Sequence, residues 1–138
     1  MRRPAIPSLR SERGLIGKMT AIWLIVLAIV LVFAWDAGKI VITRFQLSDV
    51  AQSAASVGAA TYKRTDEVRG ACAAVAVAVE KERPGQKVGG KGCRVDTADQ
   101  TVTVVLKETV STLLLGRIGP AQKYTKVTVK ETASPPVL

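Results

Sequence analysis

Between Met19 and Trp35 the chain reads MTAIWLIVLAIVLVFAW, seventeen residues without a charge, a proline or a glycine. No other feature limits the fold as strongly. A helix rises about 1.5 Å per residue, so the run covers roughly 25 Å, the short end for crossing a bilayer. Gly17 on one side, and Ala37 with Gly38 on the other, extend it. Lys18 and Lys39 can reach outward to headgroups. A buried core helix is the alternative, but such a helix normally keeps a polar face. This run is apolar all round, so a transmembrane helix is expected over 19–38.

Charge sets its direction. Arg2, Arg3, Arg10, Arg13 and Lys18 stand against Glu12 alone, five minus one, so segment 1–18 carries +4. Beyond the run, Asp36, Lys39, Arg44 and Asp49 cancel. The positive-inside rule then keeps the N-terminus in the cytoplasm and sends the rest out. A basic start and an apolar run also describe a cleavable signal peptide. No small-x-small site follows the run before Asp36, which favours a retained anchor.

What remains is enough for one small domain. The 138 residues carry a net charge of +9, and only 4% are aromatic. There is no histidine. That removes the commonest general base, the commonest zinc ligand and every nucleophile–histidine pair. Two cysteines cannot form a four-cysteine site. The expectation is a non-catalytic protein without cofactor or metal. Outside the cytoplasm Cys72 and Cys93 read as a disulfide closing a loop of about 20 residues, worth roughly 3 kcal/mol. Two buried thiols are the alternative.

Helical character continues past the apolar run. Ile40, Thr43, Leu47, Val50, Ala54, Val57 and Thr61 recur at steps of three and four, an apolar seam on one face. One helix from near Ser11, a plausible N-cap, to near Tyr62 would be about 75 Å long. A kink at Gly38 or Gly58 stays open. Thr65, Asp66 and Glu67 resemble a second helix start, with Val68, Cys72, Val75 and Val79 as its seam and Pro84-Gly85 as its stop. ACAAVAVAV also alternates as a strand would, but its alanines favour helix. After a glycine-rich basic loop, 86–92, strand signals follow. Residues 93–96, a polar 97–100 and TVTVVLKETV read as a hairpin with Val102, Val104 and Leu106 on one face. Ser111 is placed to cap a short helix or turn through LLLGRIGP, and YTKVTVKET is the last strand.

The expected fold class is α+β. A long N-terminal transmembrane helix continues into a small extracytoplasmic head with a second helix and a three-stranded antiparallel sheet. The parts are a basic cytoplasmic tail (1–18), the span (19–38), its continuation (39–64), the head (65–134) and a frayed end (135–138).

This layout resembles the Tad-like family, the TadE and TadG type of pseudopilin or minor pilin from Flp-pilus systems. Ser-Glu-Arg-Gly at Ser11 to Gly14 stands just before the apolar run. FAWDAGKIVITRFQLSDVAQSAASVGAA is similar to the family's apolar run ending in Asp-x-Gly, here Asp36 and Gly38, followed by an alanine-rich helix. VTVVLKETVSTLLLGRIGPAQKYTKVTVKETA is similar to its ending of strand, leucine-rich turn and Val/Thr strand. The resemblance implies a pilin-like fold and a prepilin cleavage after Gly14. The fifth residue of the product would be Met19, where the family has glutamate. A membrane-anchored, TadG-like accessory subunit is therefore implied rather than a polymerising pilin. Its implied partners are the lipid bilayer and related pilin-like subunits, as a homo- or hetero-oligomer, in the bacterial plasma membrane.

Three local signals remain. Asp36 and Gly38 read as a contact with another membrane helix, or Asp36 as an interfacial residue bonded to Lys39 at i,i+3 or to water. Lys87, Lys91 and Arg94 in and beside the basic loop read as a contact for DNA or anionic envelope polymers, or as a solvated surface. With few aromatics for stacking, no specific nucleic acid is expected. Gly85, Gly90 and Lys91 approach a phosphate loop, but Gly92 replaces the hydroxyl residue and the flanking elements are reversed.

Overall fold

The computed structural model describes residues 12–136. The first eleven residues of the expected basic tail, with the Ser11 cap, lie outside the described residues, as do positions 137–138. The fold is α+β. A 54-residue helix, α1 (Glu12–Thr65), is followed by α2 (Val68–Glu82) and three strands, β1 (Cys93–Asp96), β2 (Thr101–Thr109) and β3 (Lys126–Ala133). The sheet is antiparallel in the order β1-β2-β3.

α1 has no break at Gly38 or Gly58. It is entered at Glu12, inside the segment expected as tail, and at about 1.5 Å per residue it is about 80 Å long. It is long and apolar enough, by length and composition, to cross a membrane. Its two halves differ in surroundings. From Gly17 to Leu31 every residue is exposed. From Leu47 to Tyr62 one broad face is the centre of the head's core.

That face is wider than the seam expected from the sequence. Leu47, Val50 and Ala54 are buried as expected, but Val57 is 40% exposed, and Ala51, Ala55, Gly58 and Ala59 are buried instead. The reason is that α1 packs on two surfaces at once, α2 and the sheet. Small residues let both approach closely. The α2 seam shifts likewise. Ala71, Val75 and Val79 are buried, while Val68 is exposed and Cys72 is half-buried.

The link between the helices departs from the expected cap. Thr65 closes α1, with its hydroxyl donating to the Thr61 carbonyl. Asp66 adopts a left-handed φ of 52° and donates its N–H to the Tyr62 carbonyl, an αL stop. Glu67 is the N-cap of α2 and makes no side-chain cap bond. At this corner burial pushes the Tyr62 phenol above its ordinary value of 10.0, and a hydrogen bond and the negative charge of Asp66 act the same way. A raised acid pKa means the folded state prefers the neutral phenol. Its stabilising contribution is therefore complete below the unfolded value and disappears as pH climbs through the folded one. Tyr124→Phe leaves Tyr62 as the sole tyrosine of the two. Ultraviolet titration of that variant should give a midpoint above 10.0; a midpoint at or below it contradicts the packing of this corner.

The hairpin forms as expected, with Asp96 opposite Thr101 and the Asp96 carboxylate accepting the Ala98 N–H at 3.0 Å. Val102, Val104 and Leu106 on β2 and Val127 and Val129 on β3 turn inward onto α1. Cys72 and Cys93 are at disulfide-bonding distance, with Cα atoms 5.8 Å apart, and are bridged. The bridge ties α2 to the edge strand β1.

The levels along α1 can be read from its partners. Ser48 donates to Glu131, and the Lys63 amine donates to the Pro136 carbonyl. β3 thus runs away from the apolar half. β2 runs back toward it, ending beside the Arg83–Glu108 ion pair, whose Arg83 also reaches Gln46. The β1–β2 hairpin tip is therefore far from the apolar half, and the β2–β3 connection is near it.

Candidate functional site

That connection, residues 110–125, contains the turn through LLLGRIGP. Of the short helix or turn expected there, it is the turn that forms. Gly116, Gly119 and Pro120 oppose a regular helix. Leu113 to Ile118 is a series of bends and turns, followed by a 3₁₀ turn at Gly119–Thr125. The last strand accordingly starts at Lys126 rather than Tyr124. Thr112 accepts the Gly116 N–H at 2.7 Å, a local capping bond.

Ser111 does not hold the turn; Asp36 does. One Asp36 oxygen accepts the Leu113 N–H at 2.8 Å. The other accepts the N–H groups of Leu114 at 2.9 Å and Leu115 at 3.2 Å. Three successive backbone donors thus enclose one carboxylate, an anion nest whose anion is a side chain of the same chain. Asp36 is fully buried, 0% exposed. A buried carboxylate is tolerated only when its lone pairs are engaged, and here they are.

The lone pairs of Asp36 are engaged by the backbone of its own chain. Lys39 forms no ion pair with it among the described residues. Gly38 is half-buried, and a Cβ added there would meet nothing within 4 Å. Asp36→Ala should free the three amides together. Each loses a charge-assisted bond, so their hydrogen exchange should rise about tenfold to a hundredfold. Exchange unchanged at Leu113–Leu115 contradicts the clamp.

On the opposite side of the sheet from the core, Lys87, Gly89, Lys91, Gly92, Val105 and Lys107 line a shallow groove. The groove is closed by backbone bonds, Gly92 N–H to the Gly89 carbonyl and Val105 N–H to the Gly92 carbonyl. A Cβ at Gly92 would stand 2.9 Å from the Val105 oxygen, so only glycine fits. The structure brings Lys87 and Lys91 together but leaves Arg94 outside, exposed on β1. Lys107 takes its place. The alternation of β2 puts Lys107 on the same outward face as Val105, and that signal was available in the sequence.

Outside the core, Val41, Ile42 and Phe45 are exposed on α1 just past the apolar run, Phe45 at 68%. Val41 and Phe45 line an open groove against the free edge of β3. Among the described residues, no three His, Cys, Asp or Glu side chains gather as metal ligands. The backbone of Gly14 is helical. Comparison of the chain with family models, with curated proteins and with solved structures gives no match.

Proposed function

We propose that the chain is a non-catalytic, single-pass membrane protein that serves as a structural or accessory subunit of a Tad-type pilus or related secretion assembly. The observation that carries this reading is the two-part helix. One uninterrupted rod is uncovered and apolar from Met19 to Leu31, then becomes the central element of a folded head. Lipid covers the first part at no cost in unsatisfied polar groups. The basic segment before it favours an N-in orientation in a bacterial plasma membrane, with the head outside. The disulfide-bridged head suits that compartment.

The word pilus rests on the resemblance of the sequence. Its support in the fold is the apolar patch of Val41, Ile42 and Phe45, which a neighbouring subunit of the same plan would cover. A photo-crosslinking residue at Phe45 in cells should capture a second chain with an apolar N-terminal helix and a small head. Adducts only to lipid, or none, contradict the assembly role.

A second reading, capture of anionic polymer, is favoured by the lysine groove. None of Lys87, Lys91 and Lys107 is in an ion pair among the described residues. Three phosphate contacts on a single strand imply a slope of log K against log salt of about −2. Changing all three to Gln should abolish most of that slope for DNA binding. Binding absent at low salt, or a slope untouched by the substitutions, removes this reading.

A further inference from the structure

The Asp36 clamp also fixes where the leucine turn sits along α1. Between Lys18 and Lys39 lie residues 19–38, twenty positions or about 30 Å of helix, the thickness of a hydrocarbon core. Asp36 is thus within one turn of the outer edge of that layer. The backbone of Leu113, Leu114 and Leu115 is bonded to it directly. The turn is held at the boundary between acyl chains and headgroups.

Its side chains suit that level. Leu113 is 55% exposed and Ile118 41%, and nothing in the described chain covers them. Tyr124 and Trp35, both largely exposed, are residues that prefer the membrane interface. Arg117 and Lys123 are exposed in the same connection and carry the charge that anionic headgroups attract. The clamp itself supplies a second argument. Backbone N–H groups entering lipid must be satisfied within the protein. Three consecutive N–H groups, at the point where the turn meets the hydrocarbon, are satisfied by one carboxylate.

We infer that residues 112–118 form a membrane-interface wedge, with Leu113 and Ile118 inserted among the lipids of the outer leaflet. The helix and the wedge together give the head two points of attachment and fix its tilt. The surface is continuous with the apolar span, which is why lipid, rather than a protein partner, is its occupant. The inference rests on the anchoring reading above.

The test uses the full chain in nanodiscs of phosphatidylethanolamine and phosphatidylglycerol. The native cysteines are bridged, so single thiols are introduced by Leu113→Cys, Ile118→Cys, Asp99→Cys at the distal hairpin tip, and Leu27→Cys in the apolar run. Each carries an environment-sensitive fluorophore. Lipids spin-labelled at a shallow acyl position should quench labels at 113 and 118, with blue-shifted emission, and leave 99 unchanged. A label at 27 should be quenched by deep spin labels. If 27 is quenched while 113 and 118 behave like 99, the wedge is wrong and the anchor stands. Blue-shifted but unquenched labels at 113 and 118 mean a protein cover, which also overturns the wedge. If 27 is unquenched, anchor and wedge fail together.

Discussion

Replacing both Cys72 and Cys93 by alanine should lower the stability of the head by about 3 kcal/mol. The bridge closes a loop of sequence separation 21, and chain entropy alone gives that magnitude. The position amplifies the consequence. β1 is four residues long and lies at the sheet edge, with only β2 beside it. Beside the bridge, Val95 of β1 and Ala78 of α2 are only half-buried against the core. The head has a core of valines and alanines with Tyr62 as its one buried aromatic. Such a core leaves little reserve for a small domain. In detergent micelles the amides of Val104 and Leu106 report global opening. Their exchange should accelerate about a hundredfold in the double variant, or on reduction of the wild type. A change under about tenfold, about 1.4 kcal/mol, means the bridge is incidental to the fold.

The second large effect is expected at Gly58. A Cβ built there would stand 2.5 Å from Val75 Cγ2 and 3.1 Å from Val102 Cγ1. Those atoms belong to stiff β-branched side chains, one on α2 and one on β2, so neither swings aside easily. Alanine gains about 1 kcal/mol of helix propensity over glycine, but the overlap costs more. Gly58→Val should destabilise by about 2–3 kcal/mol, measured by the same exchange. Gly58→Ala combined with Val75→Ala should cost less than the sum of the single changes, because the second makes room for the first. Gly38→Ala, with open space around it, should not destabilise. If Gly58→Val is as harmless as Gly38→Ala, the three-way junction of α1, α2 and β2 is packed differently.

Much of this fold is legible in the sequence. The periods are long and clean: an apolar run of seventeen, three- and four-residue steps to Thr61, and Val102, Val104 and Leu106, then Val127 and Val129, at every second position. Position along a helix is harder to read than the helix itself. The seam through Val57 misled because a helix touching two surfaces buries more than one stripe, and alanines carry a weak signal. The clamp was hidden for a different reason. Asp36 bonds to groups 77 to 79 residues away, and those groups are backbone N–H, which look alike in any sequence. An aspartate directly after an apolar run does signal a polar requirement there, without naming the partner. Lys107 enters the groove across the sheet, from the outward face of β2, and so lies outside a basic patch read along the loop.

The proposed function depends on one continuous helix that starts in lipid and ends as the spine of the head. Spin labels placed one at a time at 22–32 and at exposed positions such as 42, 45, 52 and 56, in the full chain in nanodiscs, test it most directly. Accessibility to oxygen and to a water-soluble nickel complex would be compared at each site. Oxygen-accessible, nickel-protected labels are expected on every side from 22 to 32. Past Lys39 the pattern should become nickel-accessible, with the helical phase unbroken across Asp36. Nickel access within 22–32, or a jump in phase at 36–38, would contradict it.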